Sequence, residues 1–245
     1  MSKNLIQTDN TQKKSIDSDS QRKLSKKFDR IFLNIKSDIK NKKKNLNVLD
    51  KNFKFNFKIK DLNKFKKFKT IVFIGMGGSI LGAEAIYNFL KTKVKKKVYF
   101  LNDLDEDKVT NLRKNKNLSK FLFIVISKSG NTTETLSNAF ALNIFKKDSK
   151  NVIIISEKKN NILFSLSRKL KIFYIEHKDY IGGRFSVLSE VGLIPAYLMG
   201  ININKLRAEI CDCIKGKNKS LIKNNTIKLA NIIAKKKFRS LILLN

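Results

Sequence analysis

Short apolar segments alternate regularly with amphipathic segments between residues 70 and 175, and no other feature constrains the fold as strongly. Strands are predicted at 71–74, 98–101, 121–126, 152–155 and 171–175, and helices at 79–90, 105–116, 133–145 and 161–168. Uninterrupted apolar strands are typical of parallel sheets that are covered on both faces. Helices of this length between them predict an α/β fold with a doubly wound parallel sheet. Right-handed crossovers favour the flavodoxin-like order 2-1-3-4-5, which places a ligand over the carboxyl ends of the first and third strands.

The segments that flank this region are rich in lysine; the N-terminal one is predicted to be partly helical, and the C-terminal one to contain linking helices. Residues 1–20 are polar and are expected to be loose. From residue 21 apolar side chains recur as in an amphipathic helix, whereas residues 46–57 alternate briefly and fit either a short strand or an extended arm. We therefore divide the chain into an N-terminal extension (1–65), a main domain (66–200) and C-terminal linking helices (201–245).

The formal net charge of +33, from 53 Lys+Arg against 20 Asp+Glu, raises the question of a nucleic-acid partner. The excess is nearly all lysine and is spread through every segment, as a genome drifting towards A·T-rich codons would also produce. No zinc-finger spacing or aromatic RNA-binding motif accompanies it. We therefore expect no specific nucleic-acid binding.

The cysteines, the histidine and the apolar segments bear on disulfides, metal sites and membrane association. Cys211 and Cys213 stand two apart in a predicted helix, so they point in different directions and are not expected to bridge. With one histidine, His177, the chain offers few ligands, and we expect no metal site. No segment resembles a signal core or approaches membrane-spanning length, so we expect a cytoplasmic protein with no membrane partner.

The turn after the third predicted strand carries the clearest chemical signal. Hydroxyl side chains at Ser127, Ser129 and Thr132 stand where the strand gives way to a helix, and Asn131 and Glu134 are spaced as an N-cap and its N3 partner. A helix N-terminus favours an anion, so these hydroxyls predict a cradle for a phosphate monoester. The alternative is a plain helix cap with additional serines and threonines.

The turn after the first strand is rich in glycine, which lets the backbone approach a ligand closely. A dinucleotide site is the main competitor, because Asp103 follows the second strand where a ribose-binding acid belongs. The spacing argues against it, since Gly75-x-Gly77 is followed by Ile80 at the position of the third glycine. A glycine turn that meets a hydroxyl-rich turn at one switch point favours a sugar phosphate.

The third motif, Gly182-Gly-Arg-Phe-Ser186, follows the fifth strand. Its glycines permit a sharp bend, and Arg184 supplies a fixed positive charge that could hold a phosphate or stabilise an oxyanion. The alternative is an arginine that ties a loop to a helix C-terminus. His177 has no neighbour in sequence that would make it a base, and we assign it to the surface or to a turn.

In order and spacing the motifs Gly75-Met-Gly-Gly-Ser79, Ser127-Lys-Ser-Gly-Asn-Thr-Thr-Glu-Thr135 and Gly182-Gly-Arg-Phe-Ser186 resemble those of the glucose-6-phosphate isomerases. The resemblance implies sugar-isomerase (SIS) domains, interconversion of glucose 6-phosphate and fructose 6-phosphate through an enediolate, no cofactor, and a homodimer at full length. It also implies that Gly78 and Ser79 contact the sugar and that Arg184 steadies the enediolate. The 6-phosphate is then expected to be held by Ser127, Lys128, Ser129, Gly130, Asn131 and Thr132.

The chain departs from that family in two respects. Glu190 stands where a small residue is usual, and it would either pair with Arg184 or point to solvent. No position matches the family's proton-transferring glutamate, and residues 239–245 resemble the first strand of a second SIS domain, so we expect this chain to be an N-terminal portion that is inactive alone. Two alternatives stay open: a non-catalytic SIS module that binds a sugar phosphate, and a bifunctional isomerase that also acts on mannose 6-phosphate.

Overall fold

The computed structural model describes residues 18–114, 117–208, 210 and 216–234, and its centre is a five-stranded parallel sheet. The strands are β1 (Thr70–Gly75), β2 (Lys97–Leu101), β3 (Phe121–Ile126), β4 (Val152–Ser156) and β5 (Phe173–Glu176). The helices are α1 (Ser18–Lys40), α2 (Ile59–Leu62), α3 (Leu81–Phe89), α4 (Glu106–Arg113), α5 (Thr133–Ala141), α6 (Ile162–Lys169), α7 (Glu190–Leu198), α8 (Ile203–Ala208) and α9 (Gly216–Ala234). The order β2-β1-β3-β4-β5 confirms the predicted doubly wound α/β fold.

The sheet is buried on both faces, which explains why its strands are uninterrupted apolar runs. Along β3, Leu122 and Ile124 pack into the hydrophobic cluster on one face, and Phe123 and Val125 pack into the cluster on the other. Full burial of such a side chain stabilises the fold by about 1.5–3 kcal/mol. Because both faces are covered, every position of the strand contributes, and the centre of the sheet is a rigid base for the loops that leave it.

All four predicted helices differ from their predicted limits by one to four residues at an end, and local backbone geometry gives the reason for two of them. The helix predicted at 133–145 ends at Ala141, and Asn143 adopts a φ of 51°, the left-handed conformation that commonly follows a helix C-terminus. The helix predicted at 79–90 begins at Leu81, because Gly77–Ser79 form a short 3₁₀ turn instead. Both differences lie at helix ends, where sequence periodicity is weakest.

The N-terminal extension begins with the predicted amphipathic helix, although α1 already starts at Ser18, inside the segment that we expected to be loose. The alternating stretch at 46–57 is not a strand in the described structure. Residues Asn45–Leu49 form a 3₁₀ helix, and an irregular segment leads to α2. Arg207 fixes this path, since its guanidinium donates to the backbone carbonyls of Val48 (3.0 Å) and Asp50 (2.8 Å).

The described chain divides into two compact units, residues 18–36 with 216–234, and residues 37–208 with 210. In the first unit Phe28 stacks on Phe32 with ring centroids 5.5 Å apart, and Lys223 pairs with Asp29 at 2.6 Å. The second unit holds the sheet and all three sequence motifs. The predictions for Cys211, Cys213 and the strand at 239–245 fall outside the described residues. In the described part of the chain, no helix is both long and apolar enough to cross a membrane.

Candidate functional site

The glycine turn and the hydroxyl turn leave the sheet side by side. Gly75, the last residue of β1, is paired in register with Ile126, the last residue of β3. A Cβ atom at Gly75 would lie 2.7 Å from the carbonyl oxygen of Ile126, so only glycine fits this approach. The next residues, Met76 and Ser127, therefore start the two loops from adjacent positions at the switch point of the sheet, where ligands bind in folds of this type.

The hydroxyl turn forms a triangle of side-chain oxygens. Ser127 Oγ lies 2.7 Å from Thr132 Oγ1, and Ser129 Oγ lies 3.4 Å from each of them. The Gly130 N–H donates to Ser127 Oγ at 3.1 Å, and the Asn131 N–H donates to Ser129 Oγ at 3.3 Å. Ser127 Oγ and Ser129 Oγ each accept from the backbone, so their O–H groups can turn from the neighbouring hydroxyls to donate to an anion.

The triangle stands at the start of α5, and the capping residue differs from the prediction. Thr132 is the N-cap, and its side chain makes no capping hydrogen bond, so the assignment of Asn131 and Glu134 as a capping pair is wrong. Asn131 Oδ1 instead accepts from the backbone N–H of Ile162 at 2.9 Å. The Asn131 side chain therefore ties the turn to the start of α6 and leaves the first amides of α5 without a side-chain cap.

A second asparagine, Asn161, packs against the hydroxyl turn at Gly130. Asn161 is the N-cap of α6: its Oδ1 accepts from Phe164 N (2.9 Å) and its Nδ2 donates to the carbonyl of Glu157 (2.8 Å). Gly130 has a φ of 70°, and a Cβ atom there would overlap the side-chain oxygen of Asn161. The glycine is thus required both by the left-handed backbone and by the close packing of Asn161.

Lys128 reaches away to the ends of the two following strands. Its ammonium donates to the carbonyl of Asp179 at 2.7 Å and lies 3.4 Å from Glu157 Oε1. Glu157 is almost fully buried and also pairs with Lys159 at 2.6 Å. The side chain of Lys128 thereby joins the loops after β3, β4 and β5.

The glycine turn and the arginine turn are in direct contact. A Cβ atom at Gly78 would lie 2.5 Å from the carbonyl carbon of Gly183 and 2.9 Å from the backbone nitrogen of Arg184. Ser186 Oγ lies within hydrogen-bond distance of the carbonyl oxygens of Gly78 (3.1 Å) and Gly183 (2.6 Å). Since the glycine turn also adjoins the hydroxyl turn, the fold gathers the three motifs at one edge of the sheet.

The predicted sugar-contacting and charge-stabilising groups are accessible. Ser79 is partly buried in the 3₁₀ turn, and Arg184 is exposed in a second 3₁₀ turn, Gly183–Phe185. Among the described residues no hydrogen bond or ion pair engages the Arg184 guanidinium. A cation held ready in this way can meet a negative charge on a ligand without first breaking an internal bond.

Two polar residues are more buried than predicted. His177 lies in the loop after β5, as its turn alternative predicted, but it is 1% exposed and therefore not on the surface; burial lowers its pKa, and its Nδ1 lies 2.8 Å from the carbonyl oxygen of Lys178. Glu190 neither pairs with Arg184 nor faces solvent. It is fully buried, its Oε1 accepts from Asn56 N at 2.8 Å, and burial raises its pKa. The side chains of His177 and Glu190 therefore bond within the loops, His177 to the next residue and Glu190 to the distant Asn56.

Several supporting residues were not identified from the sequence. Asn45 accepts from the backbone N–H of Gly182, while Asn56, Glu157 and Asn161 hold other parts of the loops. They occur in lysine- and asparagine-rich stretches with no periodic or motif signal. Asp103, considered above as a ribose-binding acid, pairs with Lys108 at 2.9 Å. Within the described ranges there is no group of three or more metal-ligating side chains.

The chain is similar in sequence to known proteins over the region that contains the three motifs. A family model described as phosphoglucose isomerase matches residues 15–214. The chain belongs to this family. A curated relative, the glucose-6-phosphate isomerase of Borreliella afzelii (strain PKo), is 39% identical over 166 residues, which are 63% of this chain and 30% of the relative. The chain spans about a third of the length of the curated relatives it matches, with 30% to 38% covered.

Solved structures agree with this family assignment at the level of the fold. A hypothetical protein of Thermus thermophilus superposes with a TM-score of 0.70 at 19% identity, covering 86% of this chain and 54% of that one. A glucose-6-phosphate isomerase of Chlamydia trachomatis D/UW-3/Cx gives a TM-score of 0.52 at 24% identity, covering 62% of this chain and 30% of that one. Both superpositions support the doubly wound α/β fold of this chain.

Proposed function

We propose that the loops after β1, β3 and β5 bind glucose 6-phosphate and fructose 6-phosphate, and that the whole protein interconverts them. The observation that carries the proposal is the triangle of Ser127, Ser129 and Thr132 hydroxyls, 2.7–3.4 Å apart, at the start of α5. Three donors and an uncapped helix N-terminus match the three terminal oxygens and the negative charge of a phosphate monoester. Membership of the phosphoglucose isomerase family supports a sugar as the rest of the ligand.

In this proposal each of the three motifs has a distinct role. Ser127, Ser129 and Thr132, with the backbone of Lys128, Gly130 and Asn131, hold the phosphate, and Gly78 and Ser79 border the sugar. Arg184 stabilises the negative charge that develops on oxygen when the proton at C2 is removed to give the enediolate. General acid–base transfer of that proton needs a base, and the buried His177 and Glu190 are not candidates for it. We therefore assign the base to a part of the isomerase outside the present site residues.

Calorimetry of the chain with fructose 6-phosphate and with fructose tests the phosphate cradle. We expect fructose 6-phosphate to bind and fructose not to bind, because the hydroxyl triangle recognises the phosphate. Each hydroxyl bond to a charged phosphate is worth roughly 1.5–3 kcal/mol, so Ser127→Ala and Thr132→Ala should each weaken binding by about 10- to 150-fold. Inorganic phosphate or sulfate should compete at the same site.

Ser137→Ala is the matched control, because Ser137 is exposed on the same helix and lies outside the triangle. Equal affinity for fructose and its phosphate, or no effect of the Ser127→Ala, Thr132→Ala double change, would contradict the cradle. Turnover is followed separately by coupling glucose 6-phosphate formation to a dehydrogenase. We expect turnover only when the remainder of a family isomerase is supplied in cis or in trans, since the assigned residues include no base.

A cytoplasmic location and a homodimer at full length complete the proposal. Phosphorylated sugars are charged and do not cross membranes freely, which supports a location with the enzymes that make and use them. Sedimentation of the full-length protein measures the dimer, and a monomer at micromolar concentration would contradict it.

A further inference from the structure

We propose that the segment 45–56 of the N-terminal extension positions Arg184, because it is attached to the arginine turn on both sides. The inference rests on the proposed function, in which Arg184 stabilises the enediolate. Arg184 has no partner of its own among the described residues, so the direction of its guanidinium depends on the backbone of the Gly183–Phe185 turn. Contacts that hold the backbone of this turn therefore also set the position of the Arg184 charge.

The first attachment precedes the arginine. Asn45 Oδ1 accepts a hydrogen bond of 2.5 Å from the backbone N–H of Gly182, the residue that begins the turn. The carbonyl of Gly182 in turn accepts from Phe185 N at 2.9 Å, which closes the turn around Arg184. A Cβ atom at Gly182 would lie 3.3 Å from Asn45 Oδ1 and 3.4 Å from the Phe185 ring, so the packing here is already tight.

The second attachment follows the arginine. The guanidinium of Arg207 donates to Leu188 O at 2.8 Å on the far side of the turn, and to Val48 O and Asp50 O in the segment at 3.0 and 2.8 Å. It also lies 5.1 Å from the ring centroid of Phe55. The planar fork of arginine fixes such carbonyls relative to one another, which a lysine cannot do.

The third attachment connects the two elements that flank the whole loop. Asn56 Nδ2 donates to the carbonyl of Glu176 (3.2 Å) at the end of β5, and its backbone N–H donates to Glu190 Oε1 (2.8 Å) at the start of α7. Lys178 Nζ donates to Asn56 Oδ1 at 2.7 Å. Beneath these bonds Val48, Phe53 and Ile181 form a small apolar cluster of their own.

The segment therefore brackets the loop from 176 to 190 at its start, its middle and its end. Catalytic groups must be held within about half an ångström of their working position, and a loop residue meets this only through its support. Asn45 and Arg207 are positioning residues in this sense, since neither is placed to touch the ligand. Loss of the Asn45 or Arg207 side chain should weaken recognition of the negative charge on the ligand that Arg184 stabilises. Binding of the phosphate by its cradle should be unaffected.

The test compares two ligands with the same phosphate. One is fructose 6-phosphate, and the other is an aldonate 5-phosphate, whose carboxylate stands where the enediolate charge forms. The wild-type chain should bind the aldonate more tightly, and Arg184→Ala should reduce this preference by about tenfold or more. We expect Asn45→Ala to reduce the preference by about three- to tenfold while fructose 6-phosphate affinity stays within about twofold. Combined with Arg184→Ala, it should cause no further loss of preference.

Two variants and one control make the result decisive. Asn45→Asp keeps the acceptor oxygen and should retain the preference, whereas Arg207→Lys removes the fork and should reduce it. Asn52→Ala is the matched control, because Asn52 lies in the same segment with an exposed side chain. A wild-type preference in both Asn45→Ala and Arg207→Lys, or an equal loss for both ligands, overturns the positioning role. A wild-type chain that does not prefer the aldonate, or does not distinguish fructose 6-phosphate from fructose, instead overturns the proposed function and this inference with it.

Discussion

Gly130→Ala should damage the phosphate cradle through one neighbouring side chain, and its cost can be worked from the structure. Gly130 has a φ of 70°, which costs an alanine about 1–2 kcal/mol. The added methyl group also overlaps Asn161, which caps α6 and bonds the carbonyl of Glu157. Loss of a helix cap costs about 1 kcal/mol, and loss of a buried hydrogen bond costs a similar amount. We expect Gly130→Ala to lower the free energy of unfolding by about 2–5 kcal/mol.

Gly77→Ala is the matched control for this experiment. Gly77 also has a positive φ, 51°, but a Cβ atom there would have no neighbour within 4 Å. Only the backbone strain remains, so the expected loss is about 1–2 kcal/mol. Urea unfolding gives both free energies, and at this chain length each kcal/mol corresponds to roughly 2–4 °C in Tm.

The reasoning is refuted if the two alanines cost the same. A sharper form of the test introduces Gly130→Ala into an Asn161→Ala variant. The overlap between the two side chains is then removed, and only the backbone strain at residue 130 is left. In that background Gly130→Ala should cost no more than Gly77→Ala does. Fructose 6-phosphate binding should still fall, since the Gly130 N–H holds Ser127 Oγ at 3.1 Å and the strained turn shifts it.

Two further predictions concern Glu190 and the basic charge. Burial raises the pKa of Glu190 in the folded state, with repulsion from Glu176 adding to it and Lys178 and Asn56 N opposing it. The folded protein then binds the proton more tightly than the unfolded chain, so this stability is present below the ordinary carboxyl pKa of about 4.3 and is lost as the pH rises through the raised value. Relative to Glu190→Gln, the wild type should therefore lose stability as the pH rises above about 4.3 in urea unfolding; a difference that stays constant with pH would contradict the burial argument. Duplex DNA should bind weakly, without sequence preference, and should dissociate steeply as salt rises in fluorescence anisotropy. Nanomolar, sequence-dependent binding at physiological salt would make the isomerase proposal secondary.

The strands and their order could be predicted from the sequence because burial on both faces leaves a local record. Each residue of β3 meets one apolar cluster or the other, and the result is a run that is apolar at every position. The glycine, hydroxyl and arginine turns were also visible, since each combines unusual residues over a few positions. The sequence pattern predicts the structure correctly where the residues that determine it are close together in sequence.

The rest depended on contacts between distant residues, which leave no periodic trace. Asn131 has the spacing of an N-cap, yet the start of α6 recruits its side chain from 31 positions away. Asn45 and Gly182 are 137 residues apart, and nothing in the sequence marks either as the partner of the other. Glu190 is buried because Asn56 N supplies its hydrogen bond, so its burial could not be predicted without that partner. The predictions for Asn131 and Glu190 were wrong for this reason.

Arg184 and the side chains that support its loop differ in exposure and in internal bonding. Arg184 is exposed, so water satisfies its guanidinium until a ligand arrives, and leaving it without a protein partner costs little. Asn161 is buried and is bonded through both of its side-chain polar atoms, and the half-buried Arg207 donates to three backbone carbonyls. Such bonds are needed because an unpaired buried polar group costs about 1–3 kcal/mol. The asymmetry makes the site ready to bind, since no internal bond of Arg184 has to break first. It also predicts where mutation separates stability from recognition: changes at the exposed groups should alter affinity alone, and changes at the bonded supports should alter both.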